Sequence, residues 1–406
     1  MVKPELLSPA RDWEQLIMSL AYGADAVYLG SRSFSLRAAA GNFAPDELAS
    51  AVSLCHEHGA RAYITCNAVL SNDDARELPG FLEVIAAAGA DAVVISDLGA
   101  LALARKHLPS VGIHISTQAG VFNYECARAF YDLGASRIIL ARELPLCEIA
   151  RIRDSSPPGL EIEAFAHGSM CVAISGRCLL SDYLAGRGSN SGECAQPCRW
   201  KYSLVEEKRP GEYLDIAEDG GTYIFNSRDL CMINHVPEMI GAGISALKIE
   251  GRMKSAYYAA VVTNAYRRAI DAAADGLQLK SVWRDEVSKV SHREYSTGFY
   301  FDDGGPGQYC GDSMYRSECD VVAVVDSCDG DGNAVLTQRN KFVQGDQIEL
   351  LTPTDEPVMF TVERIMDANG LDICMAPHPM MQLRMSLPIY APKYSMLRKY
   401  RSTDKC

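Results

Sequence analysis

The chain has 406 residues, of which 48% are hydrophobic and 22% charged, and its formal net charge is −13. The length suits a barrel-sized domain with a smaller companion, and the composition excludes disorder as the default state. The negative charge excludes a surface that coats nucleic acid everywhere, because phosphate binding depends on Lys and Arg.

Short runs of mostly apolar residues recur along the first part of the chain, and many of them follow a Gly-Ala turn. Runs of this kind are typical of parallel strands that are buried on both faces of a sheet. We count eight, at residues 23–30, 59–67, 89–97, 111–118, 134–143, 160–168, 222–229 and 243–252.

Helix-like segments separate most of these runs. Residues 44–59 begin with acidic residues and end at a glycine, and residues 123–134 run from an Asn that suits a helix cap to another glycine. Eight strand–helix units predict a TIM-like (β/α)8 barrel over residues 1–300. A doubly wound open sheet is the alternative, but its G-x-G-x-x-G phosphate fingerprint does not follow the first run.

Each predicted strand ends in polar residues. The carboxyl ends of the strands are where the chemistry of a barrel gathers, although any one such residue could equally be a helix cap. The candidates for catalysis are Arg37, Asn67, Gln118, Glu143, His167, Glu250 and Arg252.

The sixth predicted strand leads into a cysteine-rich insertion at residues 168–221. Neither a signal-peptide pattern nor an apolar run of roughly 20 residues is found, so we expect a cytoplasmic protein that does not enter a membrane. In a reducing compartment, clustered thiols bind metal or do redox chemistry more often than they form disulfides. The spacing leaves zinc and iron–sulfur open, because only one pair, Cys194 and Cys198, has a zinc-like spacing. The candidate ligands are Cys171, Cys178, Cys194, Cys198 and, after the seventh predicted strand, Cys231.

The insertion also carries a candidate for a local basic patch. A charge run is usually only a solvated face, but Arg and Lys around the barrel mouth would suit an RNA substrate. The residues of this patch are Arg177, Arg187, Arg199 and Lys201.

Beyond residue 300 the sequence alternates between apolar and polar residues and turns at Asp-Gly and Asn-Gly, which indicates antiparallel hairpins. The Asp-Gly stretch at residues 329–333 does not have the register of a calcium-binding loop. We predict a small β-barrel domain at residues 305–392, followed by a basic tail at residues 393–406.

Several motifs together resemble the peptidase U-32 family. The stretch EAFAHGSMCVAISGRCLLS is similar to the family's signature, in which a Phe-containing strand leads into His-Gly-x-Met-Cys and Ser-Gly-x-Cys. The similarity covers nearly the whole chain and continues through SFSLRAAAGNF, GECAQPCRWKY, FNSRDL, KIEGRMKSAYYAAVVTNAYRRAID and KYSMLRKY. It looks closest to the branch of bacterial tRNA hydroxylation proteins.

The resemblance implies a tRNA-modifying enzyme. It implies oxygen-independent hydroxylation of the wobble uridine at its 5-position, with prephenate as the hydroxyl source and a 4Fe–4S cluster as the cofactor. The cluster motif maps onto Cys171, Cys178 and Cys194, with either Cys198 or Cys231 as the fourth ligand. Some relatives work as pairs of paralogues, so the resemblance also implies a possible paralogous partner.

Prephenate is a dicarboxylate, and two carboxylates in a confined site call for fixed cationic donors. We expect these donors at the barrel mouth, from Arg37, Arg142 and Arg252. The alternative is that Glu250 and Arg252 simply pair at the rim. Hydrogen bonding and proton transfer are expected from Asn42, Asn67, Gln118, Glu143 and Glu250.

Two other functions stay open. The family name indicates a peptidase, and His167 beside Cys171 could imitate a Cys–His nucleophile pair, although a thiol bound to a cluster cannot also be a nucleophile. The sequence has neither a G-x-S-x-G elbow nor an H-E-x-x-H zinc helix. A non-catalytic iron–sulfur scaffold, or a structural subunit of a paralogue pair, is the third possibility.

Overall fold

The computed structural model describes residues 2–36, 41–171, 178–200, 204–205, 213–214, 227–301 and 316–401. Its helices are α1 (Trp13–Ala21), α2 (Leu48–Glu57), α3 (Asn72–Ala87), α4 (Leu98–His107), α5 (Tyr124–Asp132), α6 (Leu146–Ser155), α7 (Leu180–Ala185), α8 (Val236–Gly241), α9 (Ala256–Ala274) and α10 (Ser281–Glu286). Its strands are β1 (Glu5–Ala10), β2 (Ala26–Gly30), β3 (Arg61–Cys66), β4 (Ala92–Ile95), β5 (Gly112–Ile115), β6 (Arg137–Ile139), β7 (Glu161–Ser169), β8 (Leu204–Val205), β9 (Tyr213–Leu214), β10 (Asp229–Cys231), β11 (Ala246–Ile249), β12 (Tyr295–Ser296), β13 (Cys319–Cys328), β14 (Asn333–Gln338), β15 (Phe342–Val343), β16 (Gln347–Leu351), β17 (Val358–Thr361), β18 (Ile365–Asp367), β19 (Asp372–Ile373), β20 (Met375–Ala376), β21 (Gln382–Ser386) and β22 (Met396–Tyr400). None of the helices in these ranges is long and apolar enough to cross a membrane.

Eight of the described strands form a closed parallel barrel. Strands β1 to β7 pair in chain order, and β11 pairs in parallel with both β1 and β7, which closes the ring. Helices α1 to α6, α8 and α9 lie between or after these strands, as in a (β/α)8 barrel. The predicted TIM-like barrel is therefore confirmed, and the open doubly wound sheet is excluded.

The first barrel strand is one that the sequence patterns did not reveal. In β1, Ser8 and Pro9 interrupt the apolar run. The surrounding helices satisfy their polar groups: the Ser8 hydroxyl lies 2.8 Å from that of Thr263 in α9, and Ser19 in α1 donates to the Pro9 carbonyl at 2.9 Å. These contacts are tertiary, so a local pattern of apolar residues does not predict them.

The strand predicted at residues 222–229 does not complete the barrel. Residues 222–226 lie outside the described part of the chain, and Asp229–Cys231 forms β10, which runs antiparallel to the end of β7 and parallel to β12. Strand β10 extends the sheet beyond the ring instead of closing it. The sequence-based choice of the eight barrel strands was therefore wrong at this position.

A buried network of charged side chains occupies the barrel interior toward the start of the strands. Arg137 in β6 is almost fully buried and lies 2.6 Å from Glu5 and 3.2 Å from Glu163. The Lys248 ammonium in β11 lies 2.8 Å from Glu163. Each buried charge loses its hydration, and the opposite charges offset that cost. The network fixes Lys248 beneath the mouth of the barrel.

The C-terminal domain is an antiparallel sheet with a hydrophobic core of its own. Its strands lie in the order β17-β16-β22-β13-β14-β21-β18-β19 and form a half-barrel around residues such as Leu336, Ile348 and Leu397. Strand β22 pairs with both β13 and β16, although it falls in the segment that we predicted to be a basic tail. The domain extends past the predicted boundary at residue 392, because Leu397 packs into its core.

Ionic contacts fix the two domains to each other. Arg398 of β22 is buried and lies 2.6 Å from Glu286 of α10 and 2.7 Å from Glu349 of β16. Lys289 lies 2.8 Å from Glu286 and 3.1 Å from Glu349. Burial alone would raise the pKa of Glu286, but Arg398 and Lys289 hold it below its usual range. The charge of Arg398 therefore belongs to the domain interface and not to a solvated tail.

Candidate active site at the barrel mouth

A cavity of about 120 Å³ opens at the carboxyl ends of the barrel strands, and we call it the mouth cavity. Its barrel side is lined by Tyr28, Leu36, Thr65, Asn67, Val94, Ser116, Thr117, Gln118, Ile139, Arg142, Phe165, Lys248, Glu250 and Arg252. The insertion contributes Cys171, Cys178, Ser189, Asn190, Cys194 and Cys198. The fold thus brings predicted cysteines and predicted strand-end residues to one place.

The insertion lies across the mouth because it is hydrogen-bonded to the barrel and to itself. The Val69 amide, which follows β3, donates to the Asn190 carbonyl at 3.0 Å. The Asn190 side chain donates to the Cys178 carbonyl at 2.9 Å. Farther along the insertion, the Ala195 amide donates to the Ser181 hydroxyl of α7 at 2.9 Å. These bonds fix the backbone beside the cysteines of the cavity.

The thiols of the mouth cavity form a group that we call the cysteine wall, made of Cys171, Cys178, Cys194 and Cys198. Burial raises the pKa of the Cys198 thiol; Arg199 opposes this shift, and the other three thiols add to it. The thiols are therefore within electrostatic reach of one another. The Cys194 sulfur also accepts a hydrogen bond from the amide two residues later, at 3.4 Å.

The cysteine wall offers four thiol groups, and thiolates are the ligands that an iron–sulfur cluster uses. In the part of the chain that the structure describes, no three His, Cys, Asp or Glu side chains are arranged to hold a single metal ion. An iron–sulfur cluster is held by Cys thiolates, which come from separate segments in many sequence spacings. The segment 172–177, between two of these cysteines, lies outside the described residues.

Cys231 lies apart from the cysteine wall. It belongs to β10 and does not line the mouth cavity. Burial raises its pKa to about 11, and a hydrogen bond with Tyr266 partly opposes the shift. Cys231 is half-buried and pairs across the sheet with His167, away from the mouth cavity. The structure therefore groups Cys198, and not Cys231, with the other candidate ligands.

Arg252 is a buried cation of the mouth cavity that hydroxyl groups hold in place. Its guanidinium donates to the Ser35 hydroxyl at 2.8 Å and to the Thr65 hydroxyl at 3.3 Å. It also lies 5.6 Å from the centre of the Tyr28 ring, within the range of a cation–π contact. Gly30 at the end of β2 permits this position, because a Cβ there would come within 2.3 Å of the guanidinium.

Two further cations line the barrel side among the described residues. Arg142 donates to the Ser169 carbonyl at 2.9 Å, and its buried Nε has no hydrogen-bond partner in the described part of the chain. The Lys248 ammonium lies 4.5 Å from the centre of the Tyr28 ring and 2.8 Å from Glu163. Together with Arg252, these side chains make the barrel side of the cavity suitable for an anion.

Uncharged and acidic groups complete the lining of the mouth cavity. They lie at the strand ends, where we predicted polar residues of the site. The Asn67 side chain accepts from the Leu36 amide at 3.3 Å and donates to the Ser116 hydroxyl at 3.4 Å. Gln118 lies in the turn after β5. Glu250 accepts a hydrogen bond from the Tyr28 hydroxyl at 3.3 Å.

His167 does not line the mouth cavity, in contrast to its predicted catalytic role. Its ring is enclosed by Tyr258, Tyr266 and Tyr295, with centroids 5.2 to 5.9 Å away. Its two nitrogens lie 3.3 Å from the hydroxyls of Tyr266 and Tyr295. Burial lowers the pKa of His167 to about 3, so the imidazole is neutral near pH 7. We call this enclosure, which also includes Cys231, the tyrosine cage.

An irregularity in β7 explains the position of His167. Phe165 lines the mouth cavity, and strict alternation would place His167 on the same face. However, Lys248 pairs with Phe165 while the next residue of β11, Ile249, pairs with His167, so β7 carries one extra residue. Such a bulge redirects a side chain, and it turns His167 away from the cavity.

Several other predicted residues lie elsewhere. Glu143 is half-buried and is not among the residues that line the mouth cavity. Arg187 is exposed on the insertion, whereas Arg199 is half-buried and lines a neighbouring cavity. The predicted residues outside the described part of the chain are Arg37, Arg177 and Lys201.

Lys248 is the main residue of the mouth cavity that sequence reasoning missed. It lies inside the strand run at 243–252, where we considered only the polar residues at the end. The lysine itself could have indicated this role. It lies in a run that we expected to be buried on both faces, and a buried cation needs an anionic partner or a ligand. Tyr28 and Ser116 were missed for a different reason. Tyrosine is common as a packing residue and serine as a capping residue, so neither residue type indicates a site by itself.

Comparison with known proteins agrees with the motifs. The family model for peptidase family U32 matches residues 11–308, and the model for the U32 C-terminal domain matches residues 317–398. The chain is 35% identical over 404 residues to tRNA hydroxylation protein P1 of Bacillus subtilis (strain 168), covering 98% of this chain and 95% of that protein. It is 36% identical over 421 residues to tRNA hydroxylation protein P of Escherichia coli (strain K12), covering 93% and 92%. A Porphyromonas gingivalis (strain ATCC BAA-308 / W83) protein named Collagenase is 32% identical over 325 residues, covering 77% and 76%. The chain therefore belongs to peptidase family U32.

Proposed function

We propose that this protein is an RNA-modifying enzyme that hydroxylates the wobble uridine of tRNA at its 5-position without using oxygen. Prephenate is the proposed hydroxyl donor, and a 4Fe–4S cluster is the proposed cofactor. The observation that carries the proposal is the meeting of the cysteine wall with fixed cations in one cavity. The relatives named tRNA hydroxylation proteins, which cover 93% and 98% of the chain, support the same class of reaction.

The cysteine wall is the proposed binding site of the cluster. Cys171, Cys178, Cys194 and Cys198 would hold it, and when bound it would supply a redox-active metal centre at one side of the cavity. Burial raises the pKa of the Cys198 thiol, and the neighbouring Arg199 guanidinium acts against that shift. A backbone amide donates to the Cys194 sulfur at 3.4 Å.

The cations on the barrel side suit a dicarboxylate such as prephenate. A guanidinium binds a carboxylate through paired hydrogen bonds. Arg252 is held in place by hydroxyl groups, and the buried Nε of Arg142 is a donor of the kind that a bound carboxylate would satisfy. Arg37, the third arginine expected in this pocket, lies outside the described residues.

The amide side chains suit the edge of a uracil ring. Asn67 and Gln118 each offer a donor and an acceptor, and the uracil edge presents both kinds of group. Chemistry on a base requires that the base leave its stack and enter a pocket, which is easiest in a single-stranded loop such as that of the wobble position. Glu250, held by the Tyr28 hydroxyl, is the carboxylate placed to take up a proton in the cavity.

The partners in this proposal are tRNA and a possible paralogous chain, both in the cytoplasm. Contacts with tRNA are expected around Arg187 and Arg199 at the mouth, together with Arg177 and Lys201. Trp200 lies between Arg199 and Lys201 in the sequence and is 43% exposed, so it can stack on an unpaired base.

A peptidase is the second candidate, because one relative bears the name Collagenase. A Cys–His nucleophile pair would need a histidine that can accept a proton from Cys171. His167 is the histidine nearest to it in sequence, but it is buried in the tyrosine cage while Cys171 is exposed. This geometry favours the hydroxylase.

Nucleoside mass spectrometry of tRNA tests the proposal. In a strain that has neither this gene nor any oxygen-dependent route, we expect 5-hydroxyuridine derivatives to disappear. The wild-type gene should restore them, whereas a Cys194→Ser gene should not. Unchanged derivatives in the deletion strain would refute the hydroxylase, and cleavage of gelatin by the purified protein would then favour the peptidase.

A further inference from the structure

A second cavity of about 400 Å³, which we call the side cavity, lies beside the mouth cavity. Glu250 lines both, so the two share a wall. Arg199 lines the side cavity directly after Cys198, which lines the mouth cavity. The segment after β11 contributes Met253 and Lys254. The two cavities are therefore adjacent.

The described part of the chain places more cations than carboxylates around the side cavity. Lys254 lies 3.9 Å from Asp229, but Asp229 is already paired with Arg293 at 2.7 Å. Among the residues that the structure describes, these groups together with Arg199 and Glu250 make three cations and two carboxylates in or beside the side cavity. Burial lowers the pKa of Lys254 to about 8, with Asp229 opposing the shift and Arg199 and Arg293 adding to it. At neutral pH the ammonium is still largely protonated.

Helix α9 adds to this potential. It has 19 residues and begins at Ala256, directly after Ser255, which is its N-cap and also lines the side cavity. The amino end of a helix carries a partial positive charge. The helix is a secondary contribution here, because the charged side chains already make the cavity suitable for an anion.

We propose that the side cavity binds a phosphodiester group of the RNA strand whose base enters the mouth cavity. This inference rests on the proposed RNA hydroxylation. Lys254 and Arg199 neutralise the phosphate, and the shared wall at Glu250 sets the distance from phosphate to base. Met253, 44% exposed, and Trp200, 43% exposed, provide apolar surface nearby for a flanking base.

Salt-dependent binding tests the inference. The probe is a fluorescent anticodon stem-loop RNA with uridine at the wobble position, titrated with anaerobically purified protein at several salt concentrations. We expect Lys254→Gln and Arg199→Gln each to weaken binding about five- to ten-fold at 0.1 M salt and to reduce the slope of log K against log salt by about 0.7 to 0.9. Lys254→Arg keeps the charge and should keep the slope.

Lys106→Gln is the matched control, because Lys106 is exposed in the last turn of α4, at the opposite end of the barrel from the mouth. It should leave both affinity and slope as in the wild type. Unchanged affinity and slope in both Lys254→Gln and Arg199→Gln would overturn the inference. An unchanged RNA affinity with a raised KM for prephenate would also overturn it, since that result assigns the side cavity to the small anion.

The activity of the wild type separates a failure of this inference from a failure of the proposed function. If either contradicting result is found and the wild type hydroxylates the RNA, the proposed function stands while this inference falls. If the wild type neither binds nor hydroxylates RNA, the proposed function itself has failed.

Discussion

The cysteine wall and the tyrosine cage begin only four residues apart in the chain, at Cys171 and His167, yet the wall lines an open cavity and the cage is enclosed by tyrosine rings. The wall faces a cavity that also contains fixed cations, and Arg199 opposes the effect of burial on the Cys198 pKa. The cage is closed, and burial there favours the uncharged form of each titratable group. It lowers the pKa of His167 and raises that of Cys231.

The difference teaches that residue type does not assign the role in this stretch. A histidine and a cysteine, both common in active sites, lie in the cage and do not line the mouth cavity. The bulge in β7 decides which side chains reach the cavity. Gly168 is part of that geometry: its φ is +114°, and a Cβ there would come within 2.3 Å of the Glu250 carbonyl.

The largest difference between the wall and the cage is expected for Cys198 and Cys231, the two candidates for the fourth ligand of the cluster. We expect Cys198→Ser to lose most of the bound iron, the broad absorption of an iron–sulfur protein and all hydroxylation, because it removes a thiol from the wall. We expect Cys231→Ser to keep all three. Iron and sulfide per chain, measured on anaerobically purified protein, check both variants. The opposite pattern would move the ligand into the cage, and stoichiometric zinc without iron would end the cluster assignment.

The next largest effect is expected for the cations of the mouth cavity. Arg252→Ala should reduce hydroxylation by about 100- to 1,000-fold, as the loss of a donor to a developing or bound negative charge does in other enzymes. Iron content should not change, because the hydrogen bonds described for Arg252 go to hydroxyl groups of the barrel side. Arg37→Ala is expected to act in the same way.

Arg76→Ala is the control for this prediction, since Arg76 is an exposed residue of α3. Melting temperatures separate lost folding from lost binding. If Arg252→Ala and Arg37→Ala both hydroxylate at the wild-type rate, the anion pocket lies elsewhere.

The smallest expected effect is on the pH dependence of the protein's stability, and it comes from His167 in the tyrosine cage. The pKa of His167 is about 3 in the folded protein, against about 6.5 in an unfolded chain. A lowered histidine pKa means that folding favours the neutral ring. The stabilisation is therefore complete above pH 6.5 and is lost as the pH falls toward 3, by about 1.4 kcal/mol per pH unit.

His167→Gln should flatten this part of the pH dependence. Denaturant unfolding of wild type and variant between pH 7 and pH 4.5 measures it. An equal loss of stability in the two proteins would show that His167 is not buried as a neutral ring.

The sequence predicted the barrel well because its strands are buried on both faces and therefore read as apolar runs. The same reasoning failed for β1, where Ser8 and Pro9 are satisfied by helices that are distant in sequence. It also failed for the segment after β7, because a short antiparallel strand carries no signal that distinguishes it from a barrel strand.

The location of a site residue was predictable where its position along a strand determines which way its side chain points. Asn67, Gln118, Glu250 and Arg252 line the cavity as expected, since the carboxyl ends of parallel strands meet at one face. His167 was not predictable, because its direction depends on a bulge that pairing with β11 creates. We predicted a tail at residues 393–406 because the segment is basic. It contains β22, and the carboxylates that neutralise Arg398 lie in other parts of the chain.

The most direct test of the account is a reaction with purified components under strict exclusion of oxygen. The protein, with its cluster intact, is mixed with prephenate and with tRNA from the deletion strain, and the nucleosides are analysed by mass spectrometry. The account predicts 5-hydroxyuridine at the wobble position, formed only with prephenate and not formed by Cys198→Ser. No product from iron-loaded protein, or equal product from Cys198→Ser, would contradict it.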